Sequence, residues 1–119
     1  MTGPEARIEK EIMLAVSRAG HLIWRNNVQA AWVGRVRLKE HDTVMLDRAH
    51  QILAGLCKGS ADLIGLTSTG RFLALEVKAP RGRPSPEQLN FIACVRGSGG
   101  IAGIVRSPEE ALALIEESL

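Results

Sequence analysis

The stretch from residue 59 to residue 78, GSADLIGLTSTGRFLALEVK, constrains the fold more than any other part of the chain. It reads as a β-hairpin. One apolar run covers 62–66 and a second covers 72–77, separated by Thr67, Ser68, Thr69, Gly70 and Arg71, the small and glycine-bearing set that turns require. Asp62 opens the first strand, and Glu76 and Lys78 close the second. Residues two apart on a strand share a face, so Glu76 and Lys78 point the same way. Antiparallel pairing sets the start of the first strand beside the end of the second, which brings Asp62 near Glu76. Two carboxylates and an ammonium at one end of an apolar hairpin are costly unless something pairs them. A divalent cation between the carboxylates would do so and leave Lys78 facing an anionic substrate.

The surrounding chain sets limits on that reading. Its 119 residues predict one domain, 1–119, with a single core. Aromatic content is 3% with no Tyr, which argues against a stacking platform for single strands. Cys57 and Cys94 are far apart without a CxxC or Cys/His cluster, so no zinc site is expected and the thiols are predicted to be reduced and buried. The start of the chain lacks a basic-then-apolar leader, and no run approaches ~18 apolar residues, so the chain reads as intracellular and soluble, with no membrane partner. Net charge is +2, but the last 13 residues carry four Glu and no Lys or Arg, so residues 1–106 hold 15 basic against 9 acidic side chains. A positive body with an acidic tail fits a nucleic-acid partner.

A helix is predicted over 4–19, with Ile8, Ile12, Ala15, Val16 and Ala19 at helical spacing, Thr2 or Gly3 as cap, Pro4 in the first turn and Gly20 as stop. Residues 21–25 read as a strand, and 31–38 as an edge strand whose Trp32 and Val36 are open to pairing with a second copy. Residues 39–58 are expected to be insertion-like loops with a short strand at 43–46 and a strand or helical turn at 49–53. Residues 79–86 form a proline-rich loop carrying Arg81 and Arg83. Ser85 then caps a helix, 101–105 is a buried strand, and Ser107 begins a last helix. The order predicts a sheet with helices on both faces and a β-α-β crossover across 73–105. His21, His41 and His50 are scattered, and Trp24 and Trp32 read as core or interface residues.

Asp62, a gap of thirteen residues, and then Glu76-Val77-Lys78 resemble the PD-(D/E)xK nuclease motif. With GLCKGSADLIG over 55–65, LEVKAP over 75–80, GRPSPEQ over 82–88, GGIAGIV over 99–105 and the closing helix, nearly the whole chain resembles the virus-type replication-repair nuclease (VRR-NUC) family. The opening helix, Gly20 and the strand ending in Arg25 also resemble archaeal-type Holliday-junction resolvases. One departure stands at Ala61, where the motif commonly has Pro. Proline supplies backbone shape rather than a ligand, so the chemistry is retained.

The resemblance implies a restriction-endonuclease-like α/β fold with a mixed central sheet flanked by helices. It implies a Mg²⁺- or Mn²⁺-dependent DNA endonuclease, acting on branched or structured DNA such as Holliday junctions or flaps in repair. Such hard cations take oxygen ligands. They neutralise the scissile phosphate and lower the pKa of a coordinated water. Asp62 and Glu76 are the expected metal ligands, joined by the Val77 backbone carbonyl. Lys78 would orient or deprotonate the attacking water. Glu9, eleven residues before Gly20, is the expected helix carboxylate, direct or through water, with Glu5 and Glu11 as rivals. Gln88 resembles the family's supporting polar residue. Arg81 and Arg83, with Arg25, Arg35 and Arg37, would grip phosphates. Two coordinated cuts at a junction require two sites, which favours a homodimer in the cytoplasm of a bacterial or phage-infected cell. The alternatives are a DNA-binding module on a nuclease-like fold without turnover, and a structural α/β protein. Retention of Asp62, Glu76 and Lys78 together disfavours both, since carboxylates repel phosphate unless a cation intervenes.

Overall fold

A computed structural model describes residues 3–119; the Thr2 cap expected from the sequence lies outside the described residues. The elements run α1 (Pro4–Arg18), β1 (Leu22–Arg25), β2 (Gln29–Glu40), β3 (Thr43–Ala54), β4 (Leu63–Leu66), β5 (Phe72–Val77), α2 (Pro86–Gly97), β6 (Ile101–Val105) and α3 (Pro108–Ser118). The central sheet has the order β1-β4-β5-β6. Its first three strands are antiparallel, and β6 joins β5 in parallel through α2, as the expected crossover requires.

Strand alternation divides the core into two layers. Leu63, Leu73, Leu75, Val77, Ile101 and Val105 face one side and bury against Ile12 and Val16 of α1 and Ala111 and Ile115 of α3. Ile64, Ala74 and Ala102 face the other side, against Ile92 of α2. Helices therefore cover both faces. The helix starts follow from local chemistry. Pro4 follows the Gly3 cap, and Ser85 accepts from the Gln88 N–H and Ser107 from the Glu110 N–H, each with Pro at the first helical position. At Gly65 the β1 backbone at Leu22 comes so close that a Cβ would overlap its carbonyl oxygen, so only glycine lets these strands pair.

Residues 39–58 depart from the expected loops. Most of this segment, 43–54, is one strand, β3, which pairs along its length with β2. The two form a separate two-stranded ribbon rather than an edge of the central sheet. The ribbon stands off the body, with overall dimensions of 50 × 30 × 27 Å and a radius of gyration of 16.3 Å, against roughly 13–14 Å for a compact chain of this length. Its alternation is hard to read because the register shifts twice, between Val33 and Arg35 and between Val36 and Leu38. At the first shift Arg48 takes φ 53, and an extra residue of β3 bulges opposite Gly34. Each bulge offsets the alternation of the strand that carries it by one residue. His41, with φ 55, turns the tip.

The cysteines also depart from expectation. Cys57 and Cys94 are both exposed free thiols, because one lies in the loop leaving the ribbon and the other on the outer side of α2. Trp24 and Trp32 are exposed rather than core residues. No helix among the described residues is long and apolar enough to cross a membrane.

Candidate active site

The register Leu63↔Leu75 places Asp62 across from Glu76, as the hairpin reading requires. Asp62 is fixed by two backbone groups. Its Oδ2 accepts from the Val77 N–H at 3.0 Å, and its carbonyl accepts from the Asn26 N–H at 2.8 Å. Glu76 is 1% exposed. Its Oε1 accepts from Gln88 Nε2 at 3.1 Å and lies 4.0 Å from Lys78 Nζ, while its buried Oε2 has no partner. Burial, reinforced by the neighbouring Asp62 carboxylate, pushes the Glu76 carboxyl up to about 9, with Lys78 opposing. Such a carboxylate in isolation takes up a proton; a cation shared with Asp62 would replace that proton.

Gln88 links the site to α2. Its Oε1 accepts from the Ser85 N–H at 2.8 Å, completing a capping box, while its Nε2 reaches Glu76. The α2 start is seated against the turn before Asp62. Gly59 has φ +86, and a Cβ there would lie 2.7 Å from the Glu87 carbonyl oxygen. Lys78 follows Glu76 on the same side, its stem packed by the turn in which the Gly82 N–H donates to the Ala79 carbonyl.

Glu9 occupies a neighbouring position. It comes from α1, which covers the opposite face of the sheet, and reaches the edge beside Asp62, where the two carboxylates line one cavity of about 400 Å³. Its Oε1 is 2.9 Å from Arg25 Nε. Burial and the Asp62 charge raise its pKa, and Arg25 opposes them. The charge of Glu5 is felt at both Glu9 and Glu76, whereas exposed Glu11 contributes to neither. Asp62 also lines a cavity of about 250 Å³ on the α2 side with Gln88, Ser85 and Lys58. Among the described residues, no three acidic, histidine or cysteine side chains converge as a ready metal cage. Asp62 and Glu76 form the central pair, and Glu9 stands beside it, engaged with Arg25.

The predicted phosphate-binding arginines separate into three groups. Arg25 is half-exposed and bonded to Glu9. Arg35 and Arg37 are on the ribbon, with Arg37 Nη1 3.6 Å from Asp47 Oδ1, and the structure does not bring them into the carboxylate site. Arg81 and Arg83 are exposed on the loop just after Lys78.

Sequence reasoning missed Asn26, which is 7% exposed. Its Nδ2 donates to Ser60 Oγ at 2.7 Å and to the Ala61 carbonyl at 2.8 Å, and its Oδ1 accepts from the Leu56 N–H at 3.0 Å. Asn26 thus clamps both ends of the ribbon to the residues that lead into Asp62, and fixes the backbone at Ala61. The adjacent Asn-Asn pair carried no positional signal for such a role.

The sequence profile described as the VRR-NUC domain matches residues 4–109. The chain belongs to the VRR-NUC family. A solved structure titled "VRR_NUC domain" superposes on this VRR-NUC domain with a TM-score of 0.60, covering 97% of each chain at 21% identity, a likeness of fold. A search of curated proteins returns no match. The mixed sheet between helices is therefore restriction-endonuclease-like, and the family makes this a nuclease domain.

Proposed function

We propose that this VRR-NUC domain hydrolyses phosphodiester bonds in branched or structured DNA with the help of magnesium or manganese held by Asp62 and Glu76. The observation that carries the reading is the buried Glu76 Oε2, which no donor reaches and which has only the Asp62 carboxylate beside it. A buried acid with a free oxygen and an anionic neighbour is expensive in a scaffold without a ligand. All the donors there are hard oxygens, which suits Mg²⁺ or Mn²⁺. Asp62 and Glu76 would hold the ion, the Val77 carbonyl would add a donor, and Glu9 would contribute through water. Bound there, the ion supplies Lewis-acid neutralisation of the scissile phosphate.

The chain's own residues do the rest. Gln88 orients Glu76, and the Val77 N–H orients Asp62. Lys78, 15% exposed at the side chain, presents its amino group to the reacting phosphate and the incoming water. The test is incubation of the protein with four-way-junction, flap and linear DNA in Mg²⁺, Mn²⁺ or EDTA. Metal-dependent cleavage that prefers the branched substrates is expected. Equal cleavage by Asp62→Ala, or none by the wild type on any substrate, would remove the proposal.

The domain would act as a homodimer, since paired cuts require two sites. The ribbon supports this. Its Trp32 face also carries the paired Val36 and Leu46, with Val44 and Leu53, and Trp32 is 63% exposed. An isolated two-stranded hairpin is at best marginally stable. The ribbon is also close to electrically neutral, so two copies can approach. Light scattering that shows only monomer at 100 μM, a concentration of the order used for weak dimers, would refute the dimer.

A further inference from the structure

Beside the carboxylate pair lies a second feature with no role in the mechanism above. Arg106, one residue past β6, lines a cavity of about 770 Å³ with Arg81, Arg83, Gly82, Pro84 and Leu89. Its Nη2 donates to the Gly82 carbonyl at 3.0 Å, which fixes the guanidinium plane, while its buried Nη1 has no partner. Among the described residues, no carboxylate pairs with any of the three arginines. Three guanidinium groups around one cavity with no carboxylate among them repel one another, and a bound phosphate would offset that charge. The cavity also adjoins the site. Gly82 packs on the Lys78 stem, and the Lys78 N–H donates to the carbonyl of Val105, next to Arg106.

We infer that Arg106, with Arg81 and Arg83, forms a phosphate-binding pocket that holds a nucleic-acid phosphate one position along the strand from the bond cut at Lys78. Arg106, held by the Gly82 carbonyl, supplies the fixed positive charge, and the two loop arginines contact the anion. Leu89 and Pro84 offer apolar surface to the neighbouring sugar. The inference rests on the nuclease reading for its substrate, but its test does not require cleavage.

Binding of a fluorescent DNA flap to the full chain is measured in EDTA by anisotropy across a salt series. Arg106→Gln is expected to weaken binding about tenfold and to reduce the log–log salt slope by about one. Arg83→Gln, on the exposed loop, should act in the same direction, and Arg106→Lys should recover part of the slope. A single neutral methylphosphonate linkage next to the cleavage position should weaken wild-type binding and have no further effect on Arg106→Gln. If a 5′-phosphorylated strand binds tighter than its 5′-hydroxyl twin only in the wild type, the phosphate held is a strand end; if the two bind alike, it is an internal diester. A purely structural Arg106 would lower the melting temperature while the salt slope stayed unchanged, and that result overturns the pocket. Loss of cleavage with these binding differences intact would count against the nuclease reading alone.

Discussion

Replacing Glu76 by Gln tests the proposed exchange of a proton for a cation. The carboxyl is ordinary near 4.5 in the unfolded chain and pushed up to about 9 in the folded one. Between those values the folded state holds a proton that the unfolded state has released. Stability is therefore fully present below about 4.5 and is lost as pH rises toward 9, at about 1.4 kcal/mol per pH unit. From pH 5 to pH 7 the metal-free wild type should lose on the order of 3 kcal/mol, a fall of roughly 10 °C in Tm. Glu76→Gln keeps the shape without the charge, so its stability should be nearly flat over this range. A shallow slope of the same sign remains from Glu9, whose pKa is also raised. Saturating Mn²⁺ should restore the wild type at pH 7, by about 2.7 kcal/mol at a hundredfold excess over Kd. Calorimetry in two buffers should then detect release of about one proton per ion bound. Glu76→Gln should show neither effect. Thermal unfolding at pH 5, 6, 7 and 8, with and without Mn²⁺, makes the comparison. Equal pH slopes in the two proteins, or equal stabilisation by Mn²⁺, would refute the reasoning.

Other substitutions test the supports of the site. Asp62→Asn should lower cleavage at least about 100-fold, as loss of a transition-state interaction does, and should bring the Glu76 carboxyl down, visible as a flatter pH–stability curve. Gln88→Ala removes the side-chain half of the capping box and the Glu76 contact; denaturant unfolding should show a loss of about 1 kcal/mol and Mn²⁺ titration a roughly tenfold weaker affinity. Asn26→Ala leaves Ser60, the Ala61 carbonyl and the Leu56 N–H without their partner and should cost about 1–3 kcal/mol; unchanged unfolding would show that the clamp is dispensable. Gly59→Ala meets both a positive φ and the Glu87 backbone, so α2 should detach from the site, with lower Tm and lower activity in parallel.

The central sheet and its helices were legible because their signals are local. The short apolar runs of β4 and β5, the Ser-Pro helix starts and the buried 101–105 strand each carry their own composition or cap. The pairing of Asp62 with Glu76 was legible too, since an antiparallel hairpin fixes who lies opposite whom. The ribbon was not. Its two bulges break the alternation, and apolar residues on both faces match neither a core strand nor a solvated one.

By itself, then, the sequence determined the hairpin and the Asp62–Glu76–Lys78 grouping, because side-chain period and turn composition act over a few residues. The tertiary structure decided which distant groups meet that hairpin. Gln88 arrives on α2 and Glu9 on α1 from opposite faces of the sheet, Arg25 engages Glu9, and Arg106 stands one strand away beside Gly82. It also decided that Glu76 is sealed from water with one oxygen unpartnered. Burial depends on everything packed around a group, which no spacing within the chain encodes.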